Sequence, residues 1–163
     1  MNSAAVIIGA MAISPLLYSV IGIGTSIFFF DFKQLLKESL SLVFEIGTLL
    51  IIALLFGKVF EVQFSSEITS RLETSNIDYF LIALFSGIAG SFSIFWPKLK
   101  KSLVGIAISV ALIPPIVLLG IGFANTDMEM VAISRNIVLI NILGIALGSL
   151  LLLLYLRFRK SIK

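Results

Sequence analysis

The sequence predicts an all-α integral membrane protein with five transmembrane helices, of which helices 1 and 4 are proline-broken and related as an inverted pseudo-repeat. Three observations lead there. The 163 residues are 59% hydrophobic and 13% charged, with a mean hydropathy of +1.14, whereas a soluble domain has about 45–50% apolar and about 25% charged residues. Five apolar stretches reach, or nearly reach, the roughly 20 residues that a helix needs to cross a bilayer core of about 30 Å. Two of these stretches carry proline in their middle, one hundred residues apart: a shift of 100 lays Pro15 on Pro115, Ile21 on Ile121 and Gly22 on Gly122.

The spans are expected at 4–30, 40–56, 77–96, 102–124 and 136–156, in one polytopic domain covering 1–163. The first covers 27 residues, about 40 Å of straight helix at 1.5 Å per residue. Such a helix must tilt, kink or break, and Pro15 offers the place. The second is short, but an amphipathic lead-in from Leu35 extends it. The third ends at Trp96, and the fourth carries Pro114-Pro115. The fifth opens near Asn136 and ends in the leucine run 150–154. Residues 58–76 form the only sizeable loop, and 157–163 a basic tail.

Charge sets the orientation. Lys33, Lys37, Lys98, Lys100, Lys101, Arg157, Arg159, Lys160 and Lys163 fall on one side of five alternating spans, and only Lys58, Arg71 and Arg135 on the other. The positive-inside rule then places the C-terminus in the cytoplasm and the N-terminus outside, as a multi-pass protein of a prokaryotic inner membrane. Trp96, Tyr155 and Tyr79 stand at span boundaries, where an aromatic belt would hold them. Residues 1–30 have no basic start and stay apolar well past the length of a signal core, so no cleavable signal peptide is expected.

The absence of cysteine and histidine excludes disulfides, thiol nucleophiles, zinc sites of the usual kind and histidine proton relays. With no paired carboxylate cluster and no nucleotide-binding fingerprint, no enzyme activity, metal or cofactor is expected. The net charge of +3 is accounted for by the cytoplasmic flanks and does not call for nucleic acid.

Several motifs resemble a known family in its order along the chain. They are Gly9-Ala10-Met11 with Ile13-Ser14-Pro15-Leu16, Glu67-Ile68 with Arg71, Gly87-Ile88-Ala89-Gly90, and Gly105-Ile106-Ala107-Ile108. Ala111-Leu112-Ile113-Pro114-Pro115, Gly120-Ile121-Gly122 and Asn141 complete the series. The chain resembles a bacterial and archaeal integral membrane family catalogued as a domain of unknown function, number 389. The resemblance implies a further hydrophobic helix ahead of the Gly-Ala-Met motif. With it, six spans would form two inverted sets of three, each with its broken helix in the middle. It implies no activity. The Arg-Thr-x-Pro pattern of the family reads Arg71-Leu72-Glu73-Thr74 here.

Glu45 is the acidic residue well inside a span, and an intramembrane carboxylate is by default a functional site. One reading is a proton or cation site facing the bundle interior. The other is a side chain that snorkels to the inner interface or pairs with Lys37 or a neighbouring chain. Proline removes a backbone donor and crowds the preceding turn, and in lipid the freed carbonyls need protein or water partners. Ser14-Pro15 and Pro114-Pro115 therefore read either as paired half-helix ends around a solute, the best sequence pointer to a transporter site, or as ordinary kinks. Asn141 reads as a ligand-facing amide or as an interhelical hydrogen-bonding residue. Gly22, Gly87, Gly90, Gly122, Gly144 and Gly148 read as helix-packing positions.

The functional expectation is a small transporter or channel-like permease for an ion or small solute, its pathway between the two proline-bearing helices and its unit a homodimer or higher oligomer in the lipid bilayer. The alternative is a non-transporting scaffold or accessory subunit that assembles through its glycine-rich faces.

Overall fold

A computed structural model of the chain describes residues 16–60, 75–95 and 101–161. Among these the architecture is all-helical. Five helices follow in order: α1 (Leu16–Phe29), α2 (Phe32–Phe60), α3 (Asn76–Phe95), α4 (Lys101–Ala124) and α5 (Met128–Ser161). Each corresponds to one expected apolar stretch, but the ends differ. α2 starts eight residues before the predicted 40 and ends four after 56, and α5 starts eight before the predicted 136. Hydropathy marks where a helix is apolar, whereas caps decide where it begins. Ser14, Pro15, Trp96, most of the 58–76 loop and the last two tail residues lie outside the described residues.

The caps explain the extensions. Asp31 accepts the backbone N–H of Gln34 on its side chain at 2.9 Å and that of Leu35 on its carbonyl, the arrangement of a helix N-cap. Asp127 does the same for α5, accepting from Met130 N–H at 3.0 Å and from Val131. For α3 the cap is Ser75, bonded to Ile77 N–H, with Asp78 in the first turn where the helix dipole favours a carboxylate.

α1 and α4 end alike. Phe30 (φ 55°) and Thr126 (φ 56°) adopt the left-handed conformation. At each corner one N–H reaches back five residues, Asp31 to Ser26 and Asp127 to Gly122, and one reaches back three, Phe30 to Ile27 and Thr126 to Phe123. This is a Schellman ending, and in both cases the residue that closes it is the aspartate that caps the next helix. Left-handed geometry is costly for a side chain with a Cβ, and at both corners the residue that bears it is exposed, Phe30 to 92%.

Helix directions follow from which residues meet. Ser19 meets Glu45 and Gly22 meets Glu38, so α1 and α2 are antiparallel. Gly120 meets Leu50, Ala53 and Leu54, and Gly57 meets Ile121 and Ala124, so α2 and α4 run the same way. Gly144 lies on Phe80 and Ala83, and Gly148 on Leu84 and Ile88, so α3 and α5 are parallel. α4 and α5 form the second hairpin. α1 and α4 are thus antiparallel.

The shared core gathers Leu16, Val20 and Ile21 from α1, Leu42 from α2, Ala83 from α3, Leu112, Ile113 and Ile116 from α4, and Val138 and Ile145 from α5. The break expected at Pro114-Pro115 takes a milder form: α4 is helical on both sides of the pair. A proline still withdraws the donor that would serve the carbonyl four residues earlier, so the carbonyls of Val110 and Ala111 lose their usual partners inside a continuous helix.

Candidate functional site

Glu38, Ser41 and Glu45 lie at i, i+3 and i+7 on α2, which places them on one helix face. Ser19, Gly22 and Ser26 repeat that spacing on the facing side of α1. The Oε1 of Glu45 accepts from Ser19 Oγ at 2.9 Å and from Ser41 Oγ at 3.0 Å. Its Oε2 is buried and has no hydrogen-bond partner. A carboxylate oxygen can accept about two hydrogen bonds, so half of this carboxyl is held and the other half is unserved. Among the described residues, no Lys or Arg forms an ion pair with it.

Two turns away, at about 10.5 Å by helix rise, Glu38 occupies the space that Gly22 leaves. A Cβ at Gly22 would stand 2.7 Å from Glu38 Cδ and 2.8 Å from Oε2. Gly22 is therefore a packing position as predicted, but it packs against a carboxyl instead of a helix backbone. Its carbonyl accepts from Thr25 Oγ1 at 2.8 Å and Ser26 Oγ at 2.7 Å, so those two hydroxyls are satisfied within α1.

Of the other predicted site residues, Pro115 is buried and Pro114 half-buried on α4, in the same stretch as the core residues Leu112, Ile113 and Ile116. Asn141 is buried on α5, which supplies Val138 and Ile145 to the core. Asn136 is exposed. Sequence reasoning missed Ser19, Ser41 and Glu38. Ser41 was legible as the residue one turn before Glu45, whereas Ser19 and Gly22 become partners only once α1 folds back on α2.

The glycine faces are consumed within the chain. Gly87 lies on the Ile145 backbone, Gly144 on Ala83 and Phe80, Gly148 on the backbone of Leu84 and Ile88, and Gly122 on Val131 and Met130, while Gly90 is buried. These close approaches seat α5 on α3 and α4. An added Cβ at Gly47 would have nothing within 4 Å.

Comparison with known proteins agrees on one family. An uncharacterised protein of Methanocaldococcus jannaschii is 30% identical over 152 residues, which is 93% of this chain and 47% of that protein. The chain thus spans about half the length of the curated relative it matches. No solved structure matches. A family model described as Domain of unknown function (DUF389) matches residues 11–147, a stretch that holds Glu45, Pro114-Pro115, Asn141 and both aspartate corners, and the chain belongs to that family.

Proposed function

We propose that this is a multi-pass membrane protein that passes an ion or small solute through a polar seam beside its core. The observation that carries the reading is the Glu45 carboxyl: half buried, pinned by Ser19 and Ser41, and left with an unpartnered buried oxygen. Stability alone gives no reason to retain such a group, since an unsatisfied buried carboxylate oxygen costs on the order of 1–3 kcal/mol or more.

Membrane residence is supported by large apolar side chains on the outside of an apolar core that also holds small polar groups. Ser19, Ser26, Ser91, Ser134, Asn141 and Ser149 are buried while Phe29, Phe44, Ile51, Leu55, Phe60, Ile82 and Phe85 are exposed. Water-soluble monomers rarely expose contiguous apolar patches beyond a few hundred Å². α2 and α5 are each long and apolar enough to cross a bilayer. The cytoplasmic C-terminus is supported by Lys33, Lys37 and Arg157, which share one end of the bundle: the Arg157 guanidinium stands 5.9 Å from the Phe28 ring. Lys58 and Arg135 lie toward the other end.

The inverted repeat is supported by matching contacts, at a spacing of 96 instead of 100. Asp31 and Asp127 cap the two second helices. Gly24 meets Ser149 and the Ala146 carbonyl, and Gly120 meets Ala53 and the Leu50 carbonyl, each member 96 residues from its counterpart. The same count sets Thr48 and Ile52 of α2 where α5 places Gly144 and Gly148 against α3. That α2 face is exposed, the place where the further hydrophobic helix implied by the family resemblance would stand as the counterpart of α3.

Reconstitution of the full chain in liposomes tests the permease. We expect flux of an ion or small solute, and its loss in Glu45→Gln. A protein that is well folded in lipid and moves none of a panel of ions and small acids would remove the reading.

A further inference from the structure

The two hairpins repeat in their polar residues as well as in their corners. Counted from each capping aspartate, Glu38 and Ser134 both stand seven residues on, and Glu45 and Asn141 both stand fourteen on. Ser19 and Pro115 both stand twelve residues before it. The first hairpin thus carries a ladder of two carboxylates facing Ser19 and Gly22, and the second places a hydroxyl, an amide and a proline at the same rungs.

Both ladders have unsatisfied members. On the first, Glu45 Oε2 has no donor, and the Glu38 carboxyl fills a notch that any Cβ at Gly22 would close. On the second, Ser134 is 0% exposed, and its hydroxyl also has no hydrogen-bond partner. Pro115 is buried and leaves the Ala111 carbonyl without its helical donor. The orphan atoms on the two ladders, Glu45 Oε2 and Ser134 Oγ, are both oxygens. No Lys or Arg side chain is buried among the described residues, and Lys33, Lys37, Lys58, Arg135 and Arg157 are all exposed. Carboxylate, hydroxyl and carbonyl oxygens with no positive group among them suit a small hard cation and repel an anion.

Resting on the permease reading, we propose that the solute is a small monovalent cation, the proton included, bound at Glu45 and relayed by Glu38, and that Ser134, Asn141 and Pro115 form its neutral mate on the second hairpin. The acidic ladder supplies the charge that holds the cation. The neutral ladder supplies oxygen contacts of lower affinity, which suits release.

The test uses the full chain in detergent and in liposomes. Binding is read as the shift in thermal unfolding on titration with Na⁺, K⁺ or Li⁺, and across pH for the proton. Flux is read with tracer Na⁺ and K⁺ and with an internal pH dye, which separates alkali cations from protons. We expect one of these cations to stabilise the wild type. Glu45→Gln should weaken that response at least tenfold and Glu38→Gln a few-fold. Asn141→Asp, which adds a carboxylate to the neutral ladder, should tighten it several-fold. Glu45→Asp, which keeps the charge, should retain part of the response and shows that loss in Glu45→Gln is not misfolding. A cation response without any flux supports the site and removes the permease. Flux of an anion or neutral solute that Glu45→Gln leaves unchanged, with no cation response, overturns the site and keeps the permease.

Discussion

Substitution at Gly120 tests the packing register that underlies the repeat. A Cβ there would stand 2.5 Å from Ala53 Cβ and 3.0 Å from the Leu50 carbonyl oxygen. Carbon atoms prefer about 3.5–4.0 Å, so Gly120→Ala forces α2 and α4 apart by about 1 Å. Overpacking of this kind costs about 1–3 kcal/mol, and the better helix propensity of alanine returns about 1, which leaves a net loss of up to about 2 kcal/mol. Ala53→Gly removes the opposing methyl, so in that background Gly120→Ala should keep only the propensity gain of up to about 1 kcal/mol. A double-mutant cycle by denaturant unfolding in detergent should therefore give a coupling energy of about 1–3 kcal/mol, the overpacking itself. At the equivalent position, Gly24→Ala would meet Ser149 Oγ at 2.6 Å and the Ala146 carbonyl at 2.7 Å. Ser149→Gly should rescue it less completely, because the backbone oxygen stays. Additivity of Gly120→Ala and Ala53→Gly within about 0.5 kcal/mol would refute the register.

Three further outcomes follow from the same geometry. Gly87→Ala and Gly148→Ala drive a methyl into the backbone of Ile145 and Leu84 and should lose at least about 2–3 kcal/mol each, whereas Gly47→Ala meets nothing and should be neutral or gain up to about 1 kcal/mol; thermal unfolding in micelles ranks them. Asp31→Ala and Asp127→Ala each remove a side-chain cap and should cost about 0.5–2 kcal/mol, while Phe30→Gly relieves a left-handed phenylalanine and should gain about 1 kcal/mol, read by the same assay. Gly22→Ala pushes against a flexible side chain instead of a backbone, so it should change stability little yet displace the Glu38 carboxyl, visible as a several-fold loss of cation response with normal unfolding.

Much of this arrangement was legible in composition and pattern, but only up to the point where two helices must be brought together. Five helices followed from hydropathy because each apolar stretch is bounded by charge or polar loop. Glu45 was legible because a lone acid in an apolar run has no ordinary explanation. The starts of α2 and α5 were not, because Phe32-Lys33-Gln34 and Met128-Glu129-Met130 are too polar to extend a hydropathy window, yet each follows an aspartate that caps it. The partners of Glu45 were hidden for a different reason. Ser19 is one small hydroxyl in an apolar helix, and its meaning depends on the antiparallel return of α2.

The register of the repeat shows how this limit acts on function. Proline is conspicuous in an apolar sequence, so alignment by proline sets Pro15 on Pro115 and a spacing of 100. Helix ends and interhelical contacts follow backbone geometry, and those match at 96. The difference is four residues, about one helical turn. That turn changes which residue stands opposite which. At 100 residues the two prolines are mates and the site is symmetric about two broken helices. At 96 residues Pro115 is the mate of Ser19, and Asn141 is the mate of Glu45. The position that donates a hydroxyl to a carboxylate in one hairpin is a residue without a backbone donor in the other. Under the cation proposal, two hairpins furnished so differently would hold one cation with unequal strength, and unequal strength is what lets a bound ion leave.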